Sequence, residues 1–247
     1  MLPLLLSLLA WCTVAFGGEQ RLVYDLRVDG ASVGKRELTL RYLQTSNGEV
    51  RILETFTELS INVAGTTHTL KSRATAKAGG TPGFSNSIEE DGKLREIQGR
   101  QLPDRRWMVT IAEDGQIKTW YYRSSEITCS SLDLLDPRRH LLLLDNPTAG
   151  LLAAETGTVT TGAVKDLGEG MLRVGGEDVP VRRATWTPET GPMELSWSVE
   201  GLLLAYKTRF LGREISAVVT ELPAPATFGT IDAPALQGGS TLSEEPL

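Results

Sequence analysis

Cysteine and histidine are almost missing: the 247 residues include two Cys and two His. That leaves too few ligands for a structural zinc site and too few thiols for a disulfide scaffold. An excess of positive charge is missing as well. The 25 Lys and Arg face 31 Asp and Glu, for a formal charge of -6 and a sequence pI near 5.1, so the overall field repels phosphate backbones and nucleic acid is not an expected partner. No Gly-x-Ser-x-Gly elbow occurs, and beyond the N-terminus no stretch is long and apolar enough for a membrane helix. No cofactor or metal is implied. What is present is 40% hydrophobic and 23% charged residues, the composition of a chain that buries a core.

Leu2 to Phe16 is an almost unbroken apolar run, and the first charged side chain is Glu19. The run is short of the roughly 20 apolar residues that span a bilayer. It reads as a secretory signal peptide over residues 1–17, with the small-residue pattern Ala15-Phe16-Gly17 releasing Gly18 and only the Met1 amine supplying positive charge ahead of the apolar core. Export to the periplasm or the extracellular space is therefore the expectation. Leu9-Ala10-Trp11-Cys12 is a second possibility, a lipoprotein box anchored at Cys12, but bulky Trp11 stands where a small residue is needed. Once Cys12 is removed, Cys129 is the single thiol, and burial as a small hydrophobe is the expected state.

From Leu22 the pattern alternates, with Leu22, Tyr24, Leu26 and Val28 on one face and Arg21, Asp25 and Arg27 on the other, as in a half-buried strand. Arg36, Leu38, Leu40 and Tyr42 repeat it, and a longer strand runs from Val50 to Val63. Asp29-Gly30, Asn47-Gly48, Gly79-Gly80, Asp91-Gly92, Asp114-Gly115, Gly175-Gly176, Glu200-Gly201 and Leu211-Gly212 punctuate the alternation with residues that accept positive φ. The reading gives roughly eleven to thirteen strands, mostly antiparallel hairpins. The expected fold is mainly β, a large curled antiparallel sheet forming an open or half barrel, as a single domain over residues 18–223. Residues 224–247, rich in Pro, Ala and Gly and acidic at the end, form an expected disordered tail.

One stretch breaks the pattern. Over residues 130–157, Ser130 or Ser131 is placed to cap a short helix from Leu132 to Asp136 that Pro137 ends. Leu141 to Leu144 is uninterrupted leucine, and Thr148 is placed to cap a second helix through Ala154. This segment either crosses an open face of the sheet or plugs its core with leucine.

Tyr24-x-x-x-x-Asp29-Gly30-x-x-x-Gly34, the mid-chain Leu134-Leu135-Asp136-Pro137 and the closing Trp197-x-x-Glu200-Gly201-Leu202-Leu203-x-x-Tyr206 and Leu211-Gly212-Arg213-Glu214 resemble a group of exported bacterial β-proteins catalogued only as domains of unknown function. The resemblance spans most of Arg21 to Pro223. It implies a long antiparallel sheet curling on itself, similar in shape to the periplasmic lipoprotein carriers, with short helices at the opening. It implies no activity.

Chemistry-bearing patterns are sparse. Cys129, Asp136 and His140 are close in sequence, but nothing makes them converge and no oxyanion motif accompanies them. His68 shares a strand face with Leu70, Ser72 and Ala74, the usual setting of a packed histidine. Gly30-Ala31-Ser32-Val33-Gly34-Lys35-Arg36 has the wrong spacing for a phosphate loop and sits in a hairpin. Asp133, Asp136 and Asp145 match no calcium loop. The pairs Arg105-Arg106, Arg138-Arg139 and Arg182-Arg183 suit solvated faces, or contacts to anionic headgroups or a partner's carboxylates.

Three functional readings follow. The first is an exported, non-enzymatic binding protein whose curled sheet offers an apolar groove to a lipid or other hydrophobic ligand. In it Leu132, Leu135, Leu141, Leu142, Leu143 and Leu144 form a lid, and Arg138 and Arg139 contact a headgroup or partner. The second is a structural or interaction module of the cell envelope that pairs through exposed strand edges with a protein partner. The third is a hydrolase using Cys129 or a Ser with His140.

Overall fold

The computed structural model describes residues 15–45, 48–78 and 82–222. Most of the expected signal segment and the whole tail from 224 onward lie outside these residues. Among the described residues fifteen strands form one sheet. The first eight are β1 (Ala15–Val28), β2 (Ala31–Thr45), β3 (Gly48–Val63), β4 (Thr66–Ala78), β5 (Gly83–Glu90), β6 (Lys93–Gln101), β7 (Trp107–Glu113) and β8 (Gln116–Tyr122). They are followed by β9 (Cys129–Ser130), β10 (Thr148–Leu152), β11 (Val159–Val174), β12 (Glu177–Pro188), β13 (Met193–Ser198), β14 (Leu203–Phe210) and β15 (Arg213–Val219). The sheet is curled and not closed, as the sequence pattern implies, although the strands outnumber the expectation.

Hairpin turns set the order. Asp29, Asp91 and Asp114 have φ near +50°, each followed by a glycine with positive φ, the paired left-handed geometry that a tight right-twisted hairpin requires. Strands therefore pair with their neighbours in sequence, running β1 to β8 in one direction and β15 back to β9 in the other. The two halves meet where β1 pairs antiparallel with β15, Tyr24 opposite Val219 and Arg27 opposite Ser216. The free edges are β8 and β9, which are consecutive in the chain. Every pairing is antiparallel except the short β9–β10 ladder, where Cys129 faces Leu151.

Each strand alternates, so the sheet has one apolar face, and curling turns that face inward. Leu22, Tyr24 and Leu26 of β1, Leu38 and Leu40 of β2 and Leu53, Leu59 and Ile61 of β3 are all buried there. A fifteen-stranded sheet is too wide to stay flat and one-sided in water; twist and curl let strands far apart in the order cover one another.

The mid-chain segment fills the concave side and corrects two local expectations. In place of a helix from Leu132 to Asp136 there is a single 3-10 turn, Asp133–Leu135, with the Ser130 hydroxyl accepting from the Asp133 N–H at 3.2 Å. Leu141–Leu144 makes one α-turn, α1. The second expected helix, Thr148 through Ala154, is instead strand β10, paired with β11 and β9. Local helical propensity loses to ladder hydrogen bonds here. Gly150 makes the close approach possible: a Cβ on it would lie 1.8 Å from the Glu126 carbonyl oxygen.

Ties from this segment reach both halves of the sheet. Arg51 of β3 donates to Asp136 at 2.9 Å, and the Asn86 amide of β5 donates to the Ala154 carbonyl at 3.1 Å while accepting from the Ser72 hydroxyl at 2.8 Å. From the other half, the Trp186 indole donates to the Ala149 carbonyl at 3.0 Å and the Trp197 indole to the Leu134 carbonyl at 3.1 Å. Near the open edge the Tyr122 hydroxyl donates to the Gly157 carbonyl at 3.1 Å. Each satisfies a buried or half-buried polar group that would otherwise be costly.

Candidate functional site

Between the concave face and the mid-chain segment lies a cavity of about 490 Å³, within the range of small-molecule sites. Its walls are mostly apolar, with Leu59, Leu70 and Ile88 from the first half, Leu195 and Leu203 from the second, and Leu134, Leu135 and Leu151 from the segment that crosses it. Cavity linings of this kind are what an apolar molecule displaces water from.

One charged side chain is set deep in this wall. Arg36 lies on β2 two residues before Leu38 and four before Leu40, so strand alternation carries it to the same inward face. Its side chain is only 15% exposed. Nε donates to the Thr57 hydroxyl at 2.8 Å, and the guanidinium carbon lies 5.5 Å from the centre of the Tyr206 ring, within reach of a cation–π contact. Tyr206 in turn packs on Tyr24, ring centres 5.9 Å apart, and the Tyr24 hydroxyl donates to the Leu203 carbonyl at 2.7 Å. Burial raises the pKa of both tyrosines, with the Arg36 charge opposing it. They are neutral hydrogen-bonding groups at physiological pH. Burial works against the charge on Arg36, but Tyr206 and Glu155 beside it outweigh that and hold its pKa above the ordinary value.

The carboxylate facing Arg36 comes from the turn between β10 and β11. Glu155 Oε1 is 3.6 Å from an Arg36 terminal nitrogen, longer than the roughly 2.7–2.9 Å of a charge-assisted hydrogen bond. Its closer partner is the Ser131 hydroxyl, at 2.8 Å, and its side chain is 42% exposed. Arg95 approaches the same turn and donates to the Glu155 carbonyl at 3.3 Å. The cavity thus joins an apolar chamber to one anchored guanidinium whose present carboxylate partner is loosely held.

The residues singled out in the sequence are dispersed. Leu135 lines the cavity, and Leu132 is buried in the core. Leu143 is fully buried, Leu144 packs against the core, and Leu141 and Leu142 are exposed, at 44% and 36%. Arg138 is held by Glu49 at 2.6 Å and lies over the Tyr42 ring, while Arg139 pairs with Asp133 at 3.2 Å. Arg106 and Arg182 are likewise paired, with Asp104 and Asp166.

Cys129, Asp136 and His140 are engaged elsewhere. The Cys129 thiol is buried and its pKa is pushed up to about 12, first by burial and then by the nearby Asp133 charge, which suppresses the thiolate that nucleophilic chemistry needs. Asp136 is bound to Arg51. His140 Nδ1 lies 2.6 Å from the Pro137 carbonyl, with its ring centre 5.7 Å from that of Trp197. His68 meets Asp91 at 2.8 Å in an exposed contact near the start of β4. Among the described residues no group of three or more His, Cys, Asp or Glu is arranged to hold a metal, and no helix is long and apolar enough to cross a membrane.

Arg36 is the feature that motif reading passes over. Its signal was present, a charge in register with Leu38, Leu40 and Tyr42 on an otherwise apolar face.

No protein-family model matches the chain, and no curated protein matches it. Among solved structures, it is similar to a beta-barrel-like protein of the domain of unknown function DUF1849 from Brucella abortus. The TM-score is 0.60 at 11% sequence identity, over 83% of this chain and 96% of that one. At that identity the likeness is one of fold.

Proposed function

We propose that this chain is an exported binding protein that holds a lipid or other hydrophobic ligand inside its curled sheet. The observation that carries this reading is the leucine-walled cavity of about 490 Å³ on the concave face. A core built only for stability closes such space, because unfilled apolar volume costs about 24 cal/mol per Å³. The apolar run from Leu2 to Phe16 supports export. Leu134 and Leu135 act as part of the wall, and the segment bearing them is tied to both halves of the sheet. Access then runs past the turn bearing Glu155.

Native mass spectrometry with organic extraction tests the reading, on protein passed through an export pathway and purified without detergent. A stoichiometric adduct that extracts as lipid, and is lost when Leu135→Trp fills the chamber, is the expected result. A clean apo mass, with no uptake of added lipid, would overturn it.

A second reading has its own observation. Among the described residues, edge strand β8 pairs only with β7, and it exposes Ile117 (73%), Trp120 (39%) and Tyr121 (57%). Unpaired edges of this kind accept a partner strand. In that case cross-links from position 119 in intact envelopes would trap one discrete partner, and Trp120→Lys would abolish them.

A further inference from the structure

We infer that the ligand of this chamber is an amphipathic acid, a single hydrocarbon chain whose carboxylate takes the place of Glu155 on Arg36. The inference rests on the binding reading above and specifies the ligand's chemistry.

Three features carry it. Arg36 is fixed: Thr57 holds Nε, the Tyr206 ring centre lies 5.5 Å from the guanidinium carbon, and the residue lines the cavity. Such a preorganised guanidinium recognises a planar two-oxygen anion in bidentate fashion. Glu155 shows that a carboxylate is admitted beside Arg36, at 3.6 Å and with a side chain 42% exposed. Its shorter bond is to Ser131, so it can leave Arg36 without losing its best partner.

Charge supplies the third feature. Arg36, Arg95 and Arg209 line the chamber against Glu90 and Glu155, an arginine excess that favours a monoanion and disfavours a cationic headgroup. A carboxylate that displaces Glu155 from Arg36 leaves the buried arginine paired and leaves Glu155 on the Ser131 hydroxyl. A neutral alcohol of the same length gains only the apolar contacts and leaves Glu155 where it is. The hydrocarbon chain extends from Arg36 along Leu59, Leu70, Leu195 and Leu203.

The test is a calorimetric titration of the full chain with dodecanoate, dodecanol and dodecyl phosphate, each below its aggregation limit. Dodecanoate is expected to bind at least about tenfold more tightly than dodecanol. Arg36→Met removes that preference, so that dodecanoate and dodecanol bind this variant alike, whereas Arg36→Lys, which keeps charge without the planar fork, restores part of it. Should Arg36→Met fail to fold, Glu155→Gln serves instead. It removes the competing carboxylate and widens the ratio of dodecanoate to dodecanol affinity severalfold. Equal binding of dodecanoate and dodecanol to the native chain overturns this inference and leaves the hydrophobic-binding reading standing. So does a preference that survives Arg36→Met, and tighter binding of dodecyl phosphate moves the specificity away from carboxylates. Failure of all three probes to bind overturns both.

Discussion

Replacing Asp136 by alanine tests whether the mid-chain segment is a fixed plug or a lid. Asp136 is 5% exposed at its side chain and accepts from Arg51 Nε at 2.9 Å and from the Arg138 N–H at 3.0 Å. Hydrogen bonds to a charged group contribute about 1.5–3 kcal/mol each, and breaking a fully buried ion pair costs about 3–5 kcal/mol. Arg51 is itself 15% exposed and retains Glu49 at 3.3 Å, so solvent and a second carboxylate offset part of the loss. The expected destabilisation is about 3 kcal/mol, measured as a shift in the guanidinium midpoint at constant m-value with tryptophan emission as probe. Hydrogen exchange adds the local information. In the native chain, amides of the α1 segment should open only with the whole sheet, and in Asp136→Ala they should open earlier, while β2 and β3 remain protected. The double variant Arg51→Met with Asp136→Leu should recover much of the loss, because it removes the charge left behind. A cost below about 0.5 kcal/mol, or early exchange of these amides in the native chain, would refute the plug and restore the lid.

Three further outcomes follow from the same geometry. Gly99→Ala puts a Cβ 2.2 Å from the Phe84 ring that covers this glycine; it should cost about 1–3 kcal/mol in thermal or chemical unfolding, and Phe84→Leu should relieve it. Trp197→Phe leaves the Leu134 carbonyl without its indole donor and should cost about 1–3 kcal/mol, with a larger loss if the ring also serves to seat His140. Cys129 has a folded pKa raised to about 12 from 9.0, so its contribution is fully present below pH 9 and falls with rising pH, because only the unfolded thiol ionises there. Native protein should therefore lose up to about 1.4 kcal/mol per pH unit above pH 9. Cys129→Ala should remove that slope between pH 9 and 10, below the range where the raised pKa values of Tyr24 and Tyr206 add their own loss, and a thiol reagent at pH 8 should label Cys129 only after unfolding.

What the sequence made legible is what depends on neighbours in the chain. Asp29-Gly30, Asp91-Gly92 and Asp114-Gly115 are read correctly because positive φ is a one-residue property, and once the turns are placed, alternation dictates hairpins and an inward apolar face. Thr148 to Ala154 departs from its helical pattern for the converse reason. Its alanines and leucines suit a helix locally, and the strand exists because β11, β9 and the Thr128 N–H, 2.7 Å from the Gly150 carbonyl, claim its backbone. The candidate site shows the same division. Arg36 was visible as a charge on an apolar face, but Glu155 and Tyr206 come from distant strands and turns, and only the curl brings them beside it. The leucines of residues 141–144 drew notice as a run, whereas burial separates them: one turn of helix points Leu143 inward and Leu141 outward.

The place where the sheet's halves join has a consequence for how the chain acquires its shape. β2 through β8 and β10 through β15 can each form from local hairpins, with short loops and little entropy lost per closure. The β1–β15 ladder alone needs the two ends of the domain to meet, Tyr24 opposite Val219. It is the high-contact-order step and should set the folding rate. Until β15 is available, β1 waits with one edge bare, and Arg21, Asp25 and Arg27 along it act as gatekeepers against pairing with another chain. Joining the present ends through a linker and opening the chain between β8 and β9 would turn this slow seam into one more hairpin. Such a permutant should refold faster while keeping the same chamber.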